Sequence, residues 1–449
     1  MPTVAVHNRF RRLVDAPAAR TLTLGTAGTV GLNLATTVLN FVLVVVLSRL
    51  LGAQGYGAYA FALAWVAVLA VPSSLGLTPL IIRDIAAFET GGQWGHLRGL
   101  LRWSNTVVGI SSVLVVGAAA IVGWALVNTQ PELLNAYLVG LLLVPLFAFT
   151  TLRQSAMQGL GRVVLGRAPE TIITPCLFLS LVGVAYAGDA DAFDSTLAVG
   201  LNVVAAGVAF ACGAYLLHRS LPVEVVSARA EYRQSAWLRS AVPLVVLSAV
   251  FALQSQLGTI VVATLADAEE AGIYSVALRV ALLVGFLHLA ATYPLMPAVS
   301  RLHAADEVSR IESLLRGSAM AILGLSLPVA LVLFVFGEPV LAIFGAEFDG
   351  GVTTLRILVA GTAIHLVTGF AGLALMMTGH ERSVAKVFVA ATALTSVFTI
   401  GFVPLWGAEG AALGFVTGLL VADLLLALTA WRQLGVYLAV PPLPFRRSS

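Results

Sequence analysis

Apolar runs long enough to cross a bilayer recur along the whole chain, separated by short polar segments. They predict spans near 24–48, 57–81, 104–127, 131–152, 170–187, 192–217, 241–264, 272–300, 317–337, 352–377, 385–403 and 409–431. Two longer polar stretches, 82–103 and 218–240, read as interfacial amphipathic segments. The first 23 residues form a polar, Arg-rich tail. The apolar run after it is longer than the core of a cleavable signal peptide.

The pattern repeats. Gly57, Tyr59, Ala62 and Leu63 return as Gly272, Tyr274, Ala277 and Leu278. Pro79 and Arg83 return as Pro297 and Arg301, and Leu100-Leu101-Arg102 as Leu314-Leu315-Arg316. Met157, Gly159 and Arg162 return as Met377, Gly379 and Arg382. Matches in one order at one offset of about 215–220 residues mean a duplicated architecture. The expected organisation is a basic tail (1–23), a first lobe (24–217), a linker (218–240), a second lobe (241–431) and a second tail (432–449). Six spans per lobe is even, so the lobes run parallel about an axis along the membrane normal, with a cleft between them.

Charge orients the chain. With the N-terminus inside, the inner segments collect 22 of the 25 basic residues, Arg83, Arg153 and Arg233 among them. The outer loops carry acids instead, including Glu132, Asp189, Asp191, Asp194, Asp267, Glu270 and Glu347. The positive-inside rule thus places both termini in the cytoplasm. The chain is 59% hydrophobic and 10% charged, against about 25% charged in soluble domains. The short N-terminal tail suits an anionic leaflet better than nucleic acid. Cys176 and Cys212 lie in apolar runs and offer neither a disulfide framework nor a metal spacing. No catalytic signature stands out, Gly159-x-Gly161 lacks a strand–turn–helix setting, and no cofactor or metal is expected.

Polar residues at membrane depth are the candidate chemistry. Asn33, Thr36, Thr37 and Asn40 form one face of the first span. The offset of 215 maps Asn33 and Asn40 onto Ser248 and Ser255 of the seventh, where Thr259 continues the face beside Gln256. Such stripes either glue helices together or line a hydrated cleft, and their match across the repeat favours the cleft. Arg49, Arg279 and Arg356 stand apart from the inner basic set. Arg49 and Arg356 sit at span ends and can reach the surface, whereas Arg279 is about 10 Å into its span, a depth at which charge implies function. A guanidinium there can bind phosphate oxygens bidentately. His288 and His365 each lie nine residues from an arginine and face away from it unless the helices bend, and Pro294 and Pro297 offer a bend in the eighth span. Asp423, an acid well inside a span, either couples transport to a cation or pairs with a base. Gly410, Gly414 and Gly418 form a close-packing face.

Five short motifs follow one another in order. They are Ser48-Arg49-Leu50-Leu51-Gly52-Ala53-Gln54-Gly55-Tyr56-Gly57, then Arg83-Asp84-Ile85-Ala86, Ala271-Gly272-Ile273-Tyr274, Phe344-Gly345-Ala346-Glu347-Phe348 and Trp406-Gly407-Ala408-Glu409-Gly410. In them the chain resembles the polysaccharide transporters, or Wzx-type oligosaccharide flippases, of the multidrug/oligosaccharidyl-lipid/polysaccharide (MOP) exporter superfamily. The resemblance implies an all-α fold of two six-helix lobes around a V-shaped cleft. It implies passage of a polyprenyl-(pyro)phosphate-linked oligosaccharide between leaflets, alongside glycosyltransferases or a polymerase of the same pathway. It implies a cationic cleft, with Arg49, Arg83 and Arg279 on the lipid phosphate. Thr37, Gln256 and the matched Asn33, Asn40, Ser248 and Ser255 would line that cleft, and Asp423 is the candidate for coupling. Members often carry an acid in the seventh span, where this chain has Gln254 and Gln256. The rival readings are a multidrug cation antiporter of the same superfamily, a lipid II flippase and a membrane-embedded glycosyltransferase.

Overall fold

The structure, a computed structural model, describes residues 17–368 and 370–436, with side chains from residue 35 onward except at 126, 235–236, 238–244, 246–247 and 293. The tails expected at 1–23 and 432–449 lie largely outside it. Every regular element among the described residues is helical. Among the described residues nine helices are long and apolar enough to span, and one bent pair makes a tenth. Two of these hold two spans each. Pro17–Ser74 breaks at Gly52, where φ is 67°, and Glu381–Leu434 breaks at Trp406–Gly407. Ten plus two recovers the twelve spans expected from hydropathy.

Contacts show that the second break is a hairpin. A Cβ on Gly410 would fall 2.4 Å from the Phe402 carbonyl oxygen, one on Gly414 2.5 Å from Thr399 Oγ1, and one on Gly418 1.7 Å from Thr395 Oγ1. These positions run antiparallel, so the glycine face of the twelfth span packs on the eleventh. Small residues let two backbones approach where lipid supplies no hydrophobic drive. Gly410→Val would meet backbone rather than a side chain that can move. Overpacking of this kind costs about 1–3 kcal/mol, so thermal unfolding in detergent should shift to lower temperature, and Leu413→Val on the exposed side should leave it in place.

Span boundaries differ from the hydropathy reading where backbone turns intervene. The second span ends at Ser74, because Leu75 and Gly76 both take positive φ before the helix Thr78–Thr90. The fourth divides into Pro131–Gly140 and Leu143–Gly159, and the fifth opens with a π turn at Pro169–Ile173. The eighth divides into Ala268–Ala281 and Phe286–Ala304, with Ala268–Ala281 meeting Phe286–Thr292 at 55°. The expected bend at Pro294 and Pro297 is not where the chain turns. Both prolines lie within Phe286–Ala304, and the turn is made by i→i+3 bonds through Leu282–Gly285.

The lobes join at the end that carries the acidic loops. Gly57 and Gly272, equivalent under the repeat, pack on each other's helices. A Cβ on Gly57 would fall 1.6 Å from the Ala268 carbonyl oxygen, and one on Gly272 2.1 Å from that of Ala53. Ala53 and Ala268 are themselves 215 apart, so the pseudo-twofold axis passes through this crossing. Around it the first motif docks on the fourth. Ser48 Oγ donates to the Phe344 carbonyl (2.9 Å), Arg49 Nε to that of Ile343 (2.7 Å), and the Ala53 amide to Glu347 (2.6 Å). Tyr56 meets Phe348 edge-on. Glu270 accepts the Ala408 amide at the second hairpin, while Asp194 and Asp267 cap their own helices. Asp194, Asp267, Glu270 and Glu347 of the outer loops thus sit at helix N-termini, where a carboxylate offsets the unpaired amides and the helix dipole.

The basic end is organised by the linker. Glu231 donates its amide to the Gly95 carbonyl (2.9 Å) and holds His96 (2.6 Å), and Arg98 reaches the Ala228 carbonyl (2.5 Å). Val225 and Trp237 are buried in the first lobe's own basic-end core with Ile81, Ile85, Leu97 and Trp103. The strap thus fastens the start of the seventh span to the first lobe. Arg153, expected in an inner loop, is instead 4% exposed within Leu143–Gly159 and ion-paired to Glu170.

Candidate functional site

The break in the eighth span makes the site. Arg279 stands in the last turn of Ala268–Ala281, where a cation meets the negative end of the helix dipole. The unwound Leu282–Gly285 follows at once. Broken helices are tolerated at membrane depth where they line a cavity, and a cavity of about 530 Å³ lies here between the lobes. Thr37, Asn40, Phe41 and Val44 of the first span form one side, and the eighth, tenth and twelfth spans form the other. Among the described residues no carboxylate pairs with Arg279, so it is the cavity's formal charge. The rest of the wall mixes Thr37, Asn40, His288, Thr362 and His365 with Leu282, Phe286, Leu289, Phe415 and Leu419. It is more apolar than the stripe on the first span suggested.

Behind this chamber a second cavity of about 210 Å³ opens inside the second lobe. His288 and His365 line both. His365 Nδ1 lies 2.8 Å from Asp423 Oδ2, the two imidazole centroids are 5.3 Å apart, and His288 stacks on Phe370. Asp423 is 5% exposed, and Gln254 and Thr292 share its cavity. Asp423 is thus paired with a base, a histidine on the wall of the inter-lobe chamber. In an unbroken helix His288 would face away from Arg279. The 55° bend brings them to one surface.

The three arginines proposed for phosphate do not converge. Arg279 faces the central cavity. Arg49 lies in the acidic-end seam on the Ile343 carbonyl. Arg83 lies at the basic end in a separate pocket, with Nε on Asp84 at 2.8 Å. Arg356 donates to the Phe334 carbonyl and sits over that ring, away from the cavity. Of the polar stripes, Thr37 and Asn40 enter the cavity, whereas the Asn33 side chain falls outside the described residues. Ser248, Ser255 and Gln256 line neither cavity. Ser255 bonds its own helix at Ala252, and Thr259 joins Ser275 at 3.2 Å, as helix glue.

The family described as polysaccharide biosynthesis protein matches residues 22–303, more than half of the chain. The chain belongs to that family. This member of the polysaccharide biosynthesis family shares its fold with solved MOP-superfamily transporters. An inward-facing multidrug resistance MATE transporter superposes with a TM-score of 0.73 at 14% identity, covering 90% of this chain and 94% of that one. The lipid II flippase MurJ, in an inward closed conformation, gives 0.68 at 12% identity, over 91% and 87%. An outward-facing MATE transporter gives 0.57 at 16%, over 92% and 94%. No curated protein matches the sequence. The protein is thus an all-α, multi-pass membrane protein of the MOP transporter fold.

Proposed function

We propose that the protein flips a polyprenyl-(pyro)phosphate-linked oligosaccharide from the cytoplasmic to the outer leaflet by alternating access, for surface polysaccharide synthesis. The observation that carries this reading is an unpaired guanidinium at a helix break in an inter-lobe cavity. Such a group favours an anionic cargo and repels a cationic one, which weighs against the cation antiporter. The mixed wall suits a cargo that is part lipid and part sugar. A solved neighbour of the same fold is named a lipid II flippase, which agrees with this reading. The three arginines serve as successive stations rather than one cradle: Arg83 at the basic end, Arg279 at mid-depth, Arg49 in the acidic-end seam. The basic end faces the cytoplasm, following the positive-inside rule. The test is transfer of a fluorescent lipid-linked oligosaccharide across proteoliposome leaflets. Equal rates with and without the protein would sink the proposal.

Coupling falls to His365 and Asp423. A half-buried His–Asp pair at a cavity wall is a place where one proton would change the local charge. Asp423→Asn is expected to abolish the acceleration of transfer by an imposed pH gradient while cargo still binds. Leaving a charged His365 without its carboxylate is itself destabilising. His365→Asn/Asp423→Asn is therefore measured alongside. Gradient-driven acceleration in both variants would remove the dyad from the mechanism.

A further inference from the structure

The basic end holds a cavity that the transport reading does not use as a whole. It measures about 420 Å³ and lies between the helix Thr78–Thr90 and the first turn of the seventh span. Arg83, Asp84, Phe88, Gln93, Arg233 and Trp237 line it. The two guanidiniums come from different segments, one on the first lobe and one at the end of the linker. Arg83 commits Nε to Asp84, and its Nη nitrogens have no protein partner among the described residues. Arg233 lies over the Phe88 ring at 5.8 Å, which leaves its donors free of protein hydrogen bonds among those residues. With one carboxylate against two guanidiniums, the lining is net positive by one (two minus one). The neighbouring acid, Glu231, is engaged by His96.

Depth points to the ligand. The pocket lies at the end where the chain collects its arginines, which the positive-inside rule sets at the cytoplasmic headgroups, and the buried Trp103–Trp237 pair (ring centroids 5.2 Å apart) fixes the pocket's floor. A cationic pocket at that level, with planar donor forks and an amide at Gln93, fits a phosphate group. We propose that Arg83 and Arg233 form a phosphate-binding site for anionic lipid headgroups, which ties the linker to the first lobe. The site rests on the transport reading only in that Arg83 is also the first station on the proposed path. Its binding is tested without transport, and it shares no residue with the Arg279 cavity.

The experiment measures phosphatidylglycerol retention by the delipidated full chain in detergent, by native mass spectrometry and thermal shift. Phosphatidylcholine and inorganic phosphate are the comparison probes. Arg83→Gln/Arg233→Gln is expected to lose affinity for phosphatidylglycerol by about tenfold or more, since each charge-assisted contact is worth roughly a factor of ten. Arg310→Gln removes a charge from the same end, already paired with Glu307, and should change nothing. Arg83→Lys/Arg233→Lys keeps the charge and guards against a folding defect, with an intermediate loss expected because a bidentate fork is gone. Competition by inorganic phosphate assigns recognition to the phosphate group alone. Phosphatidylglycerol binding without that competition assigns it to the lipid-borne group. Undiminished binding in the double Gln variant, or an equal loss in Arg310→Gln, overturns the site. A transfer rate unchanged by Arg279→Ala would overturn the transport reading and leave this site standing.

Discussion

Replacing Arg279 with alanine is expected to abolish transfer of the phosphate-linked cargo while leaving folded protein in the membrane. The side chain lies on the cavity wall and makes no ion pair among the described residues, so its removal unsettles no partner. Hydrogen bonds to a charged group are worth about 1.5–3 kcal/mol, or roughly ten- to a hundredfold in cargo affinity. In a chamber partly walled by Phe286, Leu289 and Phe415 the upper end of that range applies, because low-dielectric walls strengthen the contact. Arg279→Lys restores the charge but not the fork, so partial rescue is the expected signature of phosphate recognition. The readout is cargo binding together with leaflet transfer in proteoliposomes. A gain of organic-cation transport in Arg279→Ala would revive the antiporter reading.

The second large effect belongs to Gly57. Any Cβ there meets the backbone at Ala268, which cannot rotate out of the way. Overpacking by about 1–3 kcal/mol is enough to shift a two-state equilibrium roughly five- to a hundredfold. Gly57→Ala is therefore expected to wedge the lobes apart at the acidic end and to stall transport with the cavity open on that side. A cysteine at Asn40, in a background with Cys176 and Cys212 replaced, reports this through reaction with an impermeant maleimide. Labelling from the acidic side should be slow with Gly57 intact and fast in Gly57→Ala. Equal labelling would mean that this crossing is not the seal.

The resemblance motifs gain a role from the fold. The runs around Gly52, Gly272, Glu347 and Gly407 all meet at the acidic end, as a helix crossing and as carboxylate caps on two hairpins. They pack the lobes together at that end, and Arg49 is the member of these runs with a proposed role toward the cargo. Glu347 illustrates the economy of the arrangement, since one carboxylate both caps the second span and joins the lobes across the Gly52 turn.

Hydropathy, the 215-residue offset and the bias of arginines by themselves determined the spans, the two lobes and a difference between the ends. These features follow from transfer energies and residue spacing, which are properties of sequence. The glycine face at Gly410, Gly414 and Gly418 was legible for the same reason, since close backbone approach needs small residues wherever the partner lies. The site was legible in part: Arg279, Thr37, Asn40 and Asp423 stood out as polar groups at membrane depth. Tertiary structure alone decided how they combine. An unwound turn at Leu282–Gly285, with no proline in it, re-aims the eighth span and brings His288 and His365 into the cavity beside Arg279. Helix periodicity holds only while the helix does. The dispersal of Arg49, Arg83 and Arg279 along the seam, and the meeting of Arg83 with Arg233, depend on how the lobes close and where the linker docks, and those contacts between distant segments leave no local pattern in the chain.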